Sequence, residues 1–304
     1  MADIVLTVGY SHTPYLFADP SLWPSVRQQI RKDKPVRDDL PRESDQELGS
    51  KYQRALDAFG ELRASIERSQ ADVIIILGDD QKEIFSSIVA GFTIFTGTSM
   101  EGKQLPGRVR EVTGNEERLG IATYPTLARE ILQGLHEQHF DLAFFEEPEN
   151  RHDGFGHAFV PPLAYLTPSL DRPVIPILVN CYYPPQPTAS RCYEFGKALA
   201  RVIKGVSSVS RVAFAASGGL WHTPGQADAT IDETFDRTFL SLLAEGQAPE
   251  LADLPESVLV SGTGEVRNWI VGGGVTGPKR WEVLDYIPLY YSPIGLGFAR
   301  CCMG

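Results

Sequence analysis

Short apolar runs alternate with longer amphipathic stretches along most of this chain. The apolar runs are rich in Val, Ile and Phe, and their brevity favours buried β-strands over helices. They cover Asp3–Gly9, Asp72–Gly78, Asp141–Phe145, Val174–Asn180, Arg211–Ala216 and Trp281–Tyr291. Between several of these runs the apolar residues recur at three- and four-residue steps, which predicts helices. The predicted helices lie at Tyr52–Ile66, Thr126–Leu135, Tyr193–Ile203 and Ile231–Leu243.

This alternation of strand and helix predicts a single large α/β domain, residues 1–304, with a mixed or parallel β-sheet and helices on both faces. In such a sheet, ligand sites collect in the loops that follow the carboxyl ends of the strands. The polar segment at about 19–44 breaks the pattern and contains four prolines. We expect it to be a surface insertion, which either covers the ligand site as a lid or contacts another subunit.

Charge and length exclude several classes of protein. The chain has 28 Lys and Arg against 39 Asp and Glu, and its net charge of −11 argues against nucleic-acid or anionic-lipid partners. The longest apolar runs fall far below the roughly 20 residues of a membrane span. Met1–Tyr10 lacks the basic start of a signal peptide, and the four cysteines show no C-x-x-C spacing. We therefore expect a cytoplasmic protein with no membrane or nucleic-acid partner.

Histidines follow three of the predicted strands. His12 follows the first, His152 and His157 follow Asp141–Phe145, and His222 follows Arg211–Ala216. Each histidine taken alone could be an ordinary hydrogen-bonded loop residue. Because the carboxyl ends of the strands converge in this architecture, three such loops together predict a shared site.

A fourth strand is followed by a cluster of acidic residues. Asp79, Asp80 and Glu83 come directly after the apolar run that ends at Gly78. Carboxylates at this edge of the sheet can bind a divalent metal, or they can form a charged turn.

Several short motifs occur in an order that resembles a known family. They are Ser11-His12-Thr13-Pro14, Gly156-His157 with Pro161-Pro162, Asn180 with Pro184-Pro185, Gly218-Gly219-x-x-His222, and Glu265 followed by Trp269. This set, from residue 4 to about residue 300, is similar to the class III extradiol ring-cleavage dioxygenases, and within them to the catalytic β subunits of protocatechuate 4,5-dioxygenases. The resemblance implies a non-heme Fe(II) enzyme of aromatic catabolism, which uses O₂ to cleave the ring of a catechol or related hydroxylated aromatic.

The resemblance also implies a set of metal ligands. The family holds Fe(II) with two histidines and one glutamate, which leaves positions open for substrate and O₂. One histidine falls on His12 and the glutamate falls on Glu265, but the second histidine position holds Gln81. An amide oxygen is a weaker ligand than imidazole, so Asp79, Asp80 or Glu83 is an alternative third ligand, and Mn²⁺ or Zn²⁺ an alternative metal.

Two further histidines match catalytic positions of the family. The resemblance implies that His222 is the acid–base residue and that His157 binds substrate and donates a hydrogen bond during catalysis. It implies a small aromatic substrate, a homo-oligomer and, as an option, a small partner subunit over the active site. The departure at Gln81 keeps two other functions open. One is a metal-dependent hydrolase or lyase that does not use O₂, and the other is a non-catalytic, metal-free partner subunit.

Overall fold

The computed structural model describes residues 1–32, 34–35, 37–87 and 89–303, except for the side chain of Ser261. Ten strands and eight α-helices lie within these residues. The strands are β1 (Asp3–Tyr10), β2 (Val73–Gly78), β3 (Phe92–Phe95), β4 (Ser99–Lys103), β5 (Arg118–Ala122), β6 (Ala143–Phe145), β7 (Val174–Val179), β8 (Arg211–Ser217), β9 (Glu282–Leu289) and β10 (Ile294–Cys302). The helices are α1 (Trp23–Arg31), α2 (Asp45–Ser69), α3 (Gly107–Thr113), α4 (Pro125–Glu137), α5 (Val160–Leu166), α6 (Ala189–Gly205), α7 (Glu233–Ala244) and α8 (Val266–Thr276).

Eight of these strands form one sheet, in the order β6-β3-β7-β2-β8-β1-β10-β9. The four central strands β7, β2, β8 and β1 are parallel to one another. Antiparallel pairing adds β10 beside β1, β9 beside β10, and β3 beside β7. The prediction of a mixed or parallel sheet is confirmed, and the sheet is mixed. Strands β4 and β5 form a separate antiparallel pair.

The central strands are apolar throughout because helices cover the sheet on both faces. In β2, Val73, Ile75 and Leu77 face one side and Ile74 and Ile76 face the other, and all five side chains are fully buried. The first side packs against α4, α6, α7 and α8, and the second against α1, α2 and α5. Helices on both faces are therefore confirmed. No helix in the described part of the chain is both long enough and apolar enough to cross a bilayer.

The polar segment at 19–44 is more ordered than its composition suggests. It contains α1, whose Trp23 and Val26 are buried beneath the polar surface. The indole nitrogen of Trp23 donates to the carbonyl oxygens of Tyr15 and Ala18, both at 3.0 Å. Two large apolar side chains thus anchor the segment to the body of the protein, so part of the expected surface insertion is a packed helix.

The carboxyl ends of the four central strands lie at one edge of the sheet. The loops that leave this edge begin at Ser11, Asp79, Asn180 and Gly218. Parallel strands deliver their following loops to the same side of the fold, so this edge is where a site assembles.

Candidate active site

One cavity at the carboxyl edge of the sheet, which we call the central cavity, has a volume of about 670 Å³. Its wall includes His12 after β1, Gln81 after β2, Tyr182 after β7, His222 after β8, and Glu265 at the start of α8. A larger surface groove of about 790 Å³ lies between α4 and α6, but none of the described residues that line it is a histidine. The central cavity is therefore the candidate active site.

Three buried side chains converge on one point beside this cavity. Nε2 of His12 lies 3.4 Å from Oε2 of Glu265 and 3.8 Å from Oδ1 of Asp79. One ligand atom from each of the three residues lies within 4.8 Å of the other two. Donor atoms bound to one metal with bonds of about 2.1 Å stand roughly 3 to 3.5 Å apart, so this spacing is close to that of a metal centre.

The hydrogen bonding of these atoms also fits a cation. Nε2 of His12 and both carboxylate oxygens of Asp79 are buried and lack a hydrogen-bond partner among the described residues. An unpartnered buried carboxylate is costly, and a metal ion removes that cost by accepting its lone pairs. The residues present therefore fit a divalent metal.

Neighbouring groups orient two of the three side chains. Nδ1 of His12 lies 2.9 Å from Oγ of Ser217, which turns Nε2 toward the carboxylates. The backbone N–H of Gly219 donates to Oε2 of Glu265 at 2.8 Å. At Gly218, where φ is +126°, a Cβ atom would lie 2.8 Å from the same oxygen. Glycine at this position lets the backbone approach the carboxylate closely.

The two buried carboxylates influence each other. Burial and the negative charge of Glu265 raise the pKa of Asp79 well above its usual range. Burial also acts to raise the pKa of Glu265, but the neighbouring His222, with a further contribution from His12, outweighs it and holds that pKa well below its usual range. Burial lowers the pKa of His12, which favours the neutral imidazole that binds metals. A bound cation favours ionised Asp79 as well.

His222 reaches into the same group of residues. Its Nε2 lies 3.1 Å from Oε1 of Glu265 and 3.0 Å from the hydroxyl of Tyr182, and its Nδ1 lies 2.9 Å from the carbonyl oxygen of Leu220. Burial acts to lower the pKa of His222, but the charge of Glu265 raises it to about 9. The ring can therefore hold a proton at Nε2, facing the cavity.

His157 also lines the central cavity, next to His12. Its ring packs edge-on against that of His12, with centroids 4.7 Å apart, and its Nδ1 lies 2.7 Å from Oε2 of Glu83. Burial opposes the protonated form, but the charge of Glu83 raises the pKa of His157 to about 10. Pairing with Glu83 therefore favours the protonated form of His157.

The loop after β2 uses its polar side chains in different ways. Asp80 accepts hydrogen bonds from the backbone N–H groups of Glu83, Ile84 and Phe85, and Glu83 pairs with His157. Both carboxylates therefore have partners. The side-chain nitrogen of Gln81 lies 3.1 Å from Oε1 of Glu265, so Gln81 borders the same site.

The structure brings together His12, Gln81, His157, His222 and Glu265, as the sequence predicted. His152 lies outside this group of residues, because its side chain is 79% exposed and pairs with Asp153.

Sequence reasoning missed Tyr182 and Asp236. The hydroxyl of Tyr182 donates to Oε1 of Glu265. Tyr182 follows the predicted strand Val174–Asn180, so a search for any polar ring at strand ends would have found it. Asp236 lies on α7 and accepts from the backbone N–H of Trp221 at 2.9 Å, next to His222. No local pattern in the sequence marks that contact.

A family model described as the catalytic LigB subunit of aromatic ring-opening dioxygenase matches residues 42–295. The chain belongs to this family. The resemblance inferred from the sequence motifs is thereby confirmed.

Several characterised proteins match part of this chain in sequence. A gallate dioxygenase of Pseudomonas putida is 31% identical over 186 residues, which cover 59% of this chain and 52% of that protein. A 2,3-dihydroxyphenylpropionate/2,3-dihydroxicinnamic acid 1,2-dioxygenase of Paraburkholderia xenovorans is 30% identical over 199 residues, or 47% of this chain and 62% of that protein. The chain thus matches 52% and 62% of the length of these two relatives.

Among solved structures, an uncharacterized protein of Escherichia coli K12 superimposes with a TM-score of 0.54. The match covers 97% of this chain and 99% of that one at 12% sequence identity, so it supports the fold alone.

Proposed function

We propose that this chain, as one catalytic domain of residues 1–304, is a metal-dependent dioxygenase that opens the ring of a catechol or related hydroxylated aromatic beside the diol, using Fe(II) and O₂. The observation that carries the proposal is the unpartnered pair of His12 Nε2 and the Asp79 carboxylate, next to Glu265. The family model and the names of the curated relatives support the reaction class.

His12 and Glu265 hold the metal in this proposal, and Asp79 is the third ligand. Asp79 is preferred because both its oxygens are buried without a partner, whereas Asp80 and Glu83 have partners. Gln81, the ligand expected from the sequence, remains the alternative because its amide borders the same carboxylate. A half-turn of the Gln81 amide exchanges its nitrogen and oxygen and directs the oxygen to this point. Mn²⁺ and Zn²⁺ also accept such donors.

When bound, the metal supplies neighbouring positions for the substrate diol and O₂. His222 provides the proton transfer. Its Nε2 faces the cavity, and Glu265 holds its pKa at about 9. Neutralising that carboxylate brings the pKa of His222 back toward neutrality, where the ring can both accept a proton from a diol hydroxyl and return it.

His157 provides a positive charge at the cavity wall, next to His12. Its pairing with Glu83 keeps it protonated, so it donates a hydrogen bond to negative charge that develops on the substrate or on oxygen. Tyr182 fixes the relative positions of Glu265 and His222 through its hydroxyl. Ile30 of α1 adds an apolar contact to the cavity wall, consistent with the polar segment acting as part of a lid that excludes water.

One observation favours a second function. A His12, Asp79 and Glu265 site has two carboxylates, and an oxygen-rich site suits Lewis-acid chemistry. A metal-dependent hydrolase or lyase that needs no O₂ is therefore the alternative.

The deciding experiment begins with metal content. The protein is purified without chelators and analysed for metals, then reconstituted anaerobically with Fe(II) and mixed with O₂ and a panel of catechols that includes gallate. We expect one metal per chain and consumption of O₂ with at least one catechol, and we expect His12→Ala and Glu265→Ala to lose both.

The other results have definite meanings. Turnover in anaerobic buffer with Zn²⁺ or Mn²⁺, and none of the catechols consumed with Fe(II), would assign the hydrolase or lyase. Failure to bind any metal would assign the non-catalytic partner subunit.

The expected assembly and location stay predictions. A homo-oligomer, with or without a small partner subunit, is checked by light scattering on protein purified from its native cells. The cytoplasmic location is checked by fractionation of the same cells.

A further inference from the structure

The environment of Gln81 differs from that of the three candidate metal ligands. Gln81 is exposed and lines the central cavity. His12, Asp79 and Glu265 are at most 4% exposed. A side chain that only holds a buried metal does not need this exposure. The position of Gln81 therefore suits a residue that contacts a molecule entering the cavity.

The amide of Gln81 turns its nitrogen toward the site. Nε2 lies 3.1 Å from Oε1 of Glu265. An ionised carboxylate only accepts hydrogen bonds, so it favours an N–H group opposite it and repels the lone pairs of an amide oxygen. An N–H group cannot bind a metal. In this orientation Gln81 is a hydrogen-bond donor, and Asp79 completes the group of three ligand atoms around the metal position.

Three donors are directed at this one oxygen of Glu265. The hydroxyl of Tyr182 donates to Oε1, and Nε2 of His222 lies 3.1 Å from it. A carboxylate oxygen has about two acceptor sites, so the third donor is poorly satisfied. Gln81 is the most exposed residue of the three. Its N–H groups are therefore the ones that can most readily exchange the carboxylate for an oxygen atom of a ligand.

Gln81 and His222 are neighbours at the cavity wall. The side-chain Nε2 atoms of both residues lie 3.1 Å from the same carboxylate oxygen. The two nitrogens are thus close enough together for one oxygen atom of a ligand to contact both. The cavity volume of about 670 Å³ suits a small molecule such as a substituted catechol.

We propose that Gln81 is a substrate-binding residue, whose amide N–H donates a hydrogen bond to the diol oxygen that gives its proton to His222. This inference rests on the proposed function, with the metal held by His12, Asp79 and Glu265. A hydrogen bond to an anionic oxygen is stronger than one to a neutral hydroxyl, so the amide favours the ionised diol. Gln81 thus contributes to the affinity for substrate and not to the affinity for metal.

The test is anaerobic binding of 4-nitrocatechol to the full chain reconstituted with Fe(II). The visible absorbance of this probe changes when a hydroxyl group loses its proton, so a spectral titration gives the affinity without turnover. Elemental analysis of the same samples gives the metal content. Gln81→Met keeps the length of the side chain and removes its N–H donors. It should weaken binding of the probe at least about tenfold, as expected for one hydrogen bond to a charged oxygen, and retain one metal per chain.

Two further variants isolate the role of the donor. Gln81→Glu replaces the N–H groups by a negative charge, which repels an ionised diol, so it should weaken binding of the probe more than Gln81→Met does. Gln104→Met makes the matched change in a residue that does not line the central cavity, and it should leave the affinity unchanged. Because Gln81 is exposed, substitutions there should leave the core intact.

Three results would overturn this proposal and leave the proposed function standing. One is equal affinity for 4-nitrocatechol in Gln81→Met and the unmodified protein. The second is loss of metal in Gln81→Met with metal retained in Gln81→Glu, which would make position 81 a metal ligand. The third is binding of the probe by Gln81→Glu that is as tight as in the unmodified protein. Unmodified protein that binds neither metal nor probe would instead overturn the proposed function, and this inference with it.

Discussion

The hydroxyl oxygen of Tyr182 lies 3.0 Å from Nε2 of His222. The same hydroxyl donates its proton to Glu265, so a residue after β7 joins a residue after β8 to the start of α8. Burial and the charge of Glu265 raise the pKa of Tyr182 well above its usual range, so the phenol stays neutral and remains a donor. Tyr182 is thus positioned to orient both the proposed acid–base residue, His222, and a candidate metal ligand, Glu265.

Tyr182→Phe should lower kcat by about ten- to a hundredfold, within the range for loss of a group that supports proton transfer. KM and bound metal should stay close to those of the unmodified protein, because His12, Asp79 and Glu265 remain. Steady-state kinetics and elemental analysis measure these quantities. Tyr183→Phe is the matched control, and it should leave kcat unchanged. A loss of metal together with activity in Tyr182→Phe would show that the hydroxyl serves to hold the metal ligand instead.

Asp79→Asn should weaken metal binding by at least about 100-fold, more than is usual for a residue that only supports a ligand. An amide cannot supply the negative charge that the buried position offers a cation. Gln81→Ala should change the affinity by no more than a few-fold. A competition titration with a chelating dye measures both. The opposite ranking of the two variants would assign the third ligand to Gln81, and in that case Gln81→His should tighten Fe(II) binding.

Glu83→Gln should lower the pKa of His157 in metal-free protein from about 10 to below neutrality, because burial then acts with less opposition. A histidine whose pKa is raised on folding contributes stability that is complete below about pH 6.5 and is lost as the pH rises through 10. The variant should therefore lack the fall in melting temperature that the unmodified protein shows over this window. NMR titration of the His157 ring gives the pKa directly. Glu147→Gln, at an exposed carboxylate, should leave it unchanged.

Asp236→Asn should become more stable than the unmodified protein as the pH rises. Burial raises the pKa of Asp236 from 3.8 to about 7, so the stability from its protonated form is present below pH 3.8 and is lost as the pH approaches 7. Each pKa unit is worth about 1.4 kcal/mol, which gives a few kcal/mol at most. An asparagine can still bond the Trp221 N–H and the Tyr286 hydroxyl.

Chemical denaturation at pH 4 and pH 8 measures this difference. Asp57→Asn, an exposed substitution on α2, provides the control. An equal free-energy difference at both pH values would contradict the assignment of a raised pKa to Asp236.

The sequence predicted those elements whose apolar pattern is continuous. The run Asp72–Gly78 matches β2 within one residue. A strand that is covered on both faces has no polar positions, so its apolar run is uninterrupted and its ends are clear in the sequence. Helix α8 was missed because Gly272–Gly274 oppose helix formation. Packing requires glycine at position 274, because a Cβ there would lie 2.1 Å from the carbonyl oxygen of Tyr193 on α6. Such close approach of two helices depends on the tertiary structure, so the local sequence does not predict it.

The candidate site likewise has residues that the sequence could locate and one that it could not. His12, His222 and Glu265 could be placed because short motifs surround them. The role of Asp79 could not, because the loop after β2 presents several oxygen-bearing side chains in a row. Only the folded loop shows that the Asp80 carboxylate accepts from the backbone while Asp79 turns inward.

The order of residues around the central cavity determines when the site can exist. Its groups come from position 12, then from 79, 157, 182 and 222, and finally from 265, and β10 near the other end of the chain pairs with β1. No fragment shorter than residues 12–265 holds the set, and contacts this distant in sequence form late in folding. During synthesis the set of groups therefore stays incomplete until Glu265 has left the ribosome, and β1 lacks one of its neighbours until β10 has followed. Recovery of metal binding after denaturation should accordingly report completion of the whole fold.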